Sequence, residues 1–172
     1  DNDAWAIFDT PISSPTTDFT ICVWVKSDIT DLSKICICAQ ETSSTYRWAF
    51  NCDATHLYLW GMANDVQTFN YGTLFTASQY AWNHLTLIRS GSTCLMYVNG
   101  VSQTVTVDVA WRNTANISAP LMIGHIATQY HIGNIKDLLI YKGRALIQSE
   151  LITIMQRTDP TKRLNFSPDT TG

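Results

Sequence analysis

Residues 82–100, WNHLTLIRSGSTCLMYVNG, constrain the fold of this chain more than any other segment. They contain two runs in which apolar and polar residues alternate, as expected for half-buried β-strands. The second run ends at Asn99-Gly100, the strongest short hairpin signal, because both residues tolerate positive φ and suit a type I′ turn. Alternation resumes from Val101 to Val107. The segment therefore predicts three consecutive antiparallel strands, with no helix between residues 82 and 107.

The rest of the chain predicts further short strands at intervals of about ten residues, a spacing typical of a β-sandwich. The runs that suit strands cover residues 4–8, 19–26, 35–40, 46–51, 56–62, 66–75, 121–124 and 134–141. Residues 147–157 instead carry apolar side chains at Ile147, Leu151, Ile154 and Met155. That period predicts one short amphipathic helix near the C-terminus.

Composition narrows the class of protein. A length of 172 residues suits a single domain, 1–172, with a sizeable core. The net charge of −3 disfavours nucleic-acid binding, which needs clustered Lys and Arg. No apolar run approaches the ~18 residues of a membrane span, so no membrane insertion is expected. Only 15% of residues are charged. This predicts a sheet with a neutral polar outer face, as in virion proteins, fibre proteins and secreted adhesins.

Five cysteines occur, at positions 22, 36, 38, 52 and 94. An odd number, mostly inside predicted strands, does not suggest a disulfide framework. Cys36 and Cys38 would share one face of a regular strand, which could supply half of a zinc site or a redox pair. We favour buried, reduced thiols, because no further Cys or His has ligand spacing. Reduced thiols suit folding in a reducing cytosol.

Three motifs together resemble laminin G-like domains. They are the Trp-x-His-Leu-x-Leu-Ile-Arg-x-Gly-Ser-x-x-Leu-x-Tyr-Val-Asn-Gly pattern that starts at Trp82, DFTICVWVK at 18–26, and the closing segment of residues 121–151. The resemblance implies a concanavalin A-like jelly roll: an all-β sandwich of two antiparallel sheets with one short C-terminal helix. Domains of this kind usually bind ligands and rarely catalyse reactions.

The ends of the chain offer a second comparison with that family. Its opening Leu-x-Phe strand is missing before Asp1, whereas Leu164-Asn165-Phe166 near the C-terminus resembles it. One hypothesis is that residues 164–166 complete the sheet, as in a circular permutant, or that the chain is a piece of a longer parent. The alternative is that residues 158–172 form a frayed tail.

No catalytic signature is present, so an enzyme is not expected. A glycosidase needs two carboxylates in one groove, and no Glu-x-x-x-Glu strand pair occurs. A Gly-x-Ser-x-Gly nucleophile motif is also missing. His84, inside the Trp-x-His motif, is predicted to be a core residue with its hydrogen bonds satisfied.

Carbohydrate binding is favoured by six Trp and seven Tyr, more than a core of this size requires. In the strand from His56 to Trp60, Leu57 and Leu59 can face the core, which leaves the other side chains on the concave surface. Trp48 could join this patch or pack under the loops. A second patch combines the segments around Trp111 and Tyr130. The predicted ligand-binding residues are Tyr46, Arg47, Asn51, His56, Tyr58, Trp60, Trp111, Arg112, Tyr130 and His131.

The resemblance also implies calcium, bound by Asp137 with groups from the turn at Asp1 to Asp3, although Lys136 replaces a second acid beside Asp137. The expected function is a lectin-like module that recognises a glycan or other polysaccharide at a virion or cell surface. The alternatives are a structural virion or assembly domain that binds other proteins, and a fragment of an enzyme whose catalytic residues lie elsewhere in a longer parent.

Overall fold

A computed structural model describes residues 6–8, 18–27, 35–43, 46–53, 56–63, 66–74, 81–109, 119–127, 129–131 and 133–162. The strands are β1 (Ala6–Phe8), β2 (Phe19–Ser27), β3 (Ile35–Ser43), β4 (Tyr46–Cys52), β5 (His56–Ala63), β6 (Val66–Leu74), β7 (Asn83–Ser90), β8 (Thr93–Val98), β9 (Val101–Ser102), β10 (Thr106–Val109), β11 (Leu121–Ile123), β12 (His125–Ile126), β13 (Gln129–Tyr130) and β14 (Gly133–Lys142). The helix α1 spans Gln148–Thr158.

The strands form two main antiparallel sheets and a small hairpin. The seven-stranded sheet has the order β1-β11-β3-β4-β5-β6-β10, and the five-stranded sheet has the order β14-β2-β7-β8-β9. Strands β12 and β13 pair only with each other. In the described ranges, the predicted all-β sandwich with one short helix is therefore confirmed.

The core lies between the two main sheets and follows from the alternation of each strand. Ile21 and Val23 of β2 and Leu85 and Leu87 of β7 are fully buried on the inner side of the five-stranded sheet. Phe50, Leu57 and Leu59 meet them from the seven-stranded sheet. Each such side chain contributes about 1.5–3 kcal/mol on burial.

Residues 82–107 fold largely as predicted. Strands β7 and β8 pair in antiparallel register, and residues 82–107 contain no helix. Asn99 and Gly100 have φ of 51° and 79°, as a turn between β8 and β9 with positive φ at both positions requires.

The third strand differs from the prediction. It stops at Ser102, and the chain then crosses to the seven-stranded sheet, where β10 pairs with β6. A hydrogen bond of 2.8 Å from the Thr73 hydroxyl to the Thr104 carbonyl fixes this crossing. Val101 and Val107 are 62% and 53% exposed. The alternation from Val101 to Val107 therefore does not correspond to one half-buried strand.

Helix α1 packs on the outer face of the five-stranded sheet. Leu151 is 1% exposed and clusters with Cys22, Ile88 and Tyr97 of that sheet. At the end of the helix, the Trp24 indole N–H donates to the Thr158 hydroxyl at 2.8 Å. Among the described residues, no helix has the length and apolar character needed to cross a bilayer.

His84 is buried, as the sequence predicted, but it lies on this outer face rather than in the core between the two sheets. Its ring meets Trp24 edge to face at 5.1 Å, and its Nδ1 lies 3.5 Å from the Thr86 hydroxyl. Its backbone N–H donates to the Asn99 side chain at 2.8 Å, which ties β7 to the Asn99-Gly100 turn. Burial lowers the pKa of His84 to about 4, so its imidazole is neutral near pH 7.

All five cysteines are buried free thiols, as expected. The prediction that Cys36 and Cys38 share a face is wrong. A register shift between them in the β3–β4 ladder breaks the alternation. Cys38 consequently joins the core between the sheets, whereas Cys36 lies on the outer face with Ala39 and Ala49.

The permutation hypothesis depends on residues 1–5 and 163–172, which lie outside the described ranges. Strand β1, which follows residues 1–5 in the chain, pairs with β11 at the edge of the seven-stranded sheet. The hypothesis stays a prediction.

Candidate functional site

The candidate site lies on the outer face of the seven-stranded sheet, the face turned away from the five-stranded sheet. In β5, Leu57 and Leu59 are fully buried toward the core, while His56, Tyr58 and Trp60 are half-buried on the opposite face. The predicted alternation of this strand is confirmed. We call the side chains around Tyr58 and Trp60 the aromatic patch.

The Trp60 side of the patch is organised by Arg47. Strand register places Arg47 opposite Met62, and the neighbouring pair on the same face is Ala49 and Trp60. The guanidinium carbon lies 5.2 Å from the centre of the Trp60 ring, a distance suited to a cation–π interaction. Glu41 accepts from the guanidinium at 3.5 Å. Arg47 therefore bridges a carboxylate and the indole, and helps to fix the orientation of the ring.

The Tyr58 side of the patch is organised by Asp53, which follows β4. One carboxylate oxygen accepts from the Tyr58 hydroxyl at 2.9 Å, and the other accepts from the His56 backbone N–H at 2.7 Å. The His56 ring stacks on Tyr58 with centroids 5.4 Å apart. Desolvation, followed by the hydrogen bond to Asp53, raises the pKa of Tyr58 to about 12. The phenol is thus a neutral group held in one direction.

A glycine on the neighbouring strand accommodates the Tyr58 ring. Gly72 is the register partner of Tyr58. A Cβ atom built on Gly72 would lie 3.2 Å from Cδ1 of that ring, closer than side chains usually approach. A larger residue at position 72 would therefore push the ring away from the sheet.

The far side of Trp60 carries an amide and a carboxylate. Asn70 is the register partner of Trp60, and its side-chain amide donates to Asp108 at 3.1 Å. The sequence did not point to Glu41, Asp53, Asn70 or Asp108 as members of this site. Glu41, Asn70 and Asp108 reach the patch from three different strands, β3, β6 and β10, and no local pattern indicates that β10 pairs with β6.

The β12–β13 hairpin brings the Tyr130 part of the second predicted patch beside the first. Ile126 is 1% exposed and packs on Cys36, Ala39 and Ala49, with Trp60 at the margin of the cluster. The His125 ring stacks on Tyr130 at 4.6 Å, and Tyr130 is 39% exposed. His131, a predicted contact residue, is 9% exposed. Tyr130 therefore borders the same sheet face that carries Trp60.

Other predicted residues are placed differently. Asn51 faces the patch as the register partner of Tyr58 but is only 3% exposed. Tyr46 is half-buried and has the parity of the core residues of β4 rather than that of Arg47. Trp48 is buried in the core, where its indole N–H donates to Gln40 at 2.8 Å. Trp111 and Arg112 lie outside the described residues.

The implied calcium site is not formed by the residues that the structure describes. Asp137 lies at an irregularity of β14 with φ of 50°, and its carboxylate is 3.5 Å from the Lys136 ammonium. Calcium takes six to eight oxygen ligands, and the described ranges hold no group of three metal-ligating side chains. Asp3 lies outside those ranges, so calcium binding stays a prediction.

Solved structures share this fold at low sequence identity. The binding domain of Paraclostridial Mosquitocidal Protein 1 matches with a TM-score of 0.64 and 15% identity, over 91% of this chain and 42% of that one. Domain 4 of AbnA, an extracellular arabinanase from Geobacillus stearothermophilus solved with arabinotriose, has a TM-score of 0.62 and 16% identity, over 88% and 81%. Botulinum neurotoxin type C, described as entering cells through two ganglioside molecules, has a TM-score of 0.62 and 12% identity, over 84% and 36%.

The chain thus spans less than half of the first and third of these structures and most of the second. A search of curated protein sequences gave no match. A family model covers residues 1–151, most of the chain, and agrees with the two-sheet architecture. The chain belongs to the concanavalin A-like lectin/glucanase superfamily.

Proposed function

We propose that this domain binds carbohydrate without catalysing a reaction, and that the aromatic patch is the contact surface. The observation that carries the proposal is the half-exposed pair Tyr58 and Trp60, held by Asp53 and Arg47 on an outer sheet face. Their partners orient both rings before any ligand arrives. Preorganised rings lose little conformational entropy on binding.

The chemistry of the patch suits a sugar. An aromatic ring offers an apolar surface to the C–H face of a pyranose or furanose, and adjacent polar groups can bond its hydroxyls. Asp53, Asp108 and Asn70 supply acceptors and a donor within the described face. Tyr130 extends the aromatic surface beside the β12–β13 hairpin.

The comparisons support the same class of ligand. The arabinanase domain was solved with a trisaccharide, and the neurotoxin is described as depending on gangliosides, which carry glycans. These are properties of those proteins. For this chain they make a glycan the first ligand to test. In the proposed function, a longer parent protein presents this domain at a virion or cell surface.

A glycan array tests the proposal, followed by calorimetry on any glycan that binds. Trp60→Ala should weaken binding at least tenfold, because it removes both the stacking surface and the partner of Arg47. Leu95→Ala is the matched control, since Leu95 is 39% exposed on the five-stranded sheet, away from the patch. Silence of the wild type on the array would favour the rival hypothesis of a structural domain that binds proteins. Equal effects of the two substitutions would reject the aromatic patch as the site.

A further inference from the structure

The sheet face that carries the aromatic patch has more carboxylates than guanidinium groups among the described residues. In the part of the chain that the structure describes, this sheet face holds one guanidinium, that of Arg47, and three carboxylates, those of Glu41, Asp53 and Asp108. The lysines among the described strand residues, Lys26, Lys136 and Lys142, belong to the other sheet. Negative charge therefore predominates where a ligand would lie.

The guanidinium of Arg47, the one that the described ranges place on this face, is already engaged. Arg47 lies 3.5 Å from the Glu41 carboxylate, while its guanidinium carbon lies 5.2 Å from the centre of the Trp60 ring. Its Nη2 also lies 4.0 Å from the Met62 sulfur, and its Nε is buried. A ligand carboxylate or sulfate that binds in the bidentate manner arginine favours would therefore compete with Glu41 for the guanidinium.

The other two carboxylates flank the exposed rings. Asp53 accepts from the Tyr58 hydroxyl, and Asp108 accepts from the Asn70 amide beside Trp60. A carboxylate has about four acceptor positions, so Asp108 can accept from a sugar hydroxyl as well as from Asn70. An anionic ligand group placed between Asp53 and Asp108 would meet repulsion from both sides.

We infer that the aromatic patch selects uncharged glycans and discriminates against those that carry carboxylate or sulfate groups. The inference rests on the proposed function and adds the chemical class of its ligand. The residues that set the selection are Asp53 and Asp108, while Glu41 engages Arg47, whose guanidinium is the one described on this sheet face. An anion held about 6–7 Å from two carboxylates, with water between the charges, should bind about tenfold more weakly than its neutral counterpart.

The experiment uses glycans printed as matched pairs. Each pair is a neutral glycan and the same glycan bearing a sialic acid, a uronic acid carboxylate or a sulfate. The wild-type chain should bind the neutral members at least about tenfold more tightly. The ratio should shrink as NaCl is raised from about 50 mM to 500 mM, because salt screens exposed charges.

Variants identify the responsible groups. Asp108→Asn and Asp53→Asn should each raise the affinity for the acidic member relative to the neutral one by about three- to fivefold. Glu150→Gln is the control for charge, because Glu150 lies at the start of α1 on the other sheet and glutamine can still accept from the Ile147 N–H. That control should leave the ratio unchanged.

The outcomes separate this inference from the proposed function. Equal or tighter binding of the acidic members, or a ratio that neither aspartate variant changes, overturns the selection while carbohydrate binding stands. Binding to neither member of any pair overturns the proposed function and the selection with it.

Discussion

Acid should destabilise this domain through His84. The imidazole is 1% exposed between Trp24 and Thr86, and its folded-state pKa is about 4, against an ordinary value of 6.5. Between these two values, the unfolded chain binds a proton that the folded chain excludes. The contribution of neutral His84 to stability is therefore complete above about pH 6.5 and is lost as the pH falls toward 4.

The size of the effect follows from the two pKa values. One pKa unit corresponds to about 1.36 kcal/mol, so the full loss is about 3 kcal/mol by pH 4, and about 2 kcal/mol is already lost at pH 5. For a domain of 172 residues, the loss at pH 5 lowers the midpoint of thermal unfolding by about 4–8 °C.

Urea unfolding followed by tryptophan fluorescence, repeated from pH 7.5 to 4, measures this loss. His84→Gln should be less stable at neutral pH but should show a shallower dependence on pH, because the variant lacks the imidazole that titrates. The carboxylate titrations are common to both proteins and cancel in the comparison. His56→Gln is the matched control, since the His56 side chain is 38% exposed. Parallel stability curves for wild type and His84→Gln would refute the reasoning, as would an NMR titration of His84 near pH 6.5.

Three further predictions concern the core and the helix. Gln40→Ala should lower the free energy of unfolding by about 2–5 kcal/mol, because the Trp48 N–H and the Ala119 carbonyl each lose a buried partner; a loss below about 1 kcal/mol in urea unfolding would contradict this. Leu151→Ala should cost about 2–4 kcal/mol in the same assay, and no change would mean that α1 does not pack on the sheet. The five buried thiols should resist a thiol reagent in the folded protein and all react in denaturant. Rapid labelling of the folded chain, or fewer than five thiols on unfolding, would contradict that expectation.

Sequence patterns predicted the fold where local chemistry is decisive. The Asn99-Gly100 turn follows from two residues that tolerate positive φ, and both adopt it. The division of β5 into Leu57 and Leu59 on one side and Tyr58 and Trp60 on the other follows from strand alternation alone. The presence of an aromatic face could therefore be predicted without any knowledge of its neighbours.

The features that the sequence did not predict arise where the alternation of a strand is interrupted or where strands pair out of sequence order. A register shift sends Cys36 and Cys38 to opposite sides of β3, although their spacing predicts the same side. Asp108 reaches Asn70 only because β10 leaves the first meander and pairs with β6 of the other sheet. No property of those residues in the sequence indicates that change of partner.

Burial of the five thiols gives the folded and unfolded chains different reactivity toward oxidants. In the folded domain, burial raises the pKa of Cys38, Cys52 and Cys94 to about 12, so hardly any reactive thiolate forms at neutral pH. The thiols of the unfolded chain are not buried. A disulfide between Cys36 and Cys38 would be incompatible with the native β3, in which their side chains lie on opposite faces. In an oxidising medium, folding would therefore compete with disulfide formation, whereas the folded domain, whose five thiols are buried, would resist it.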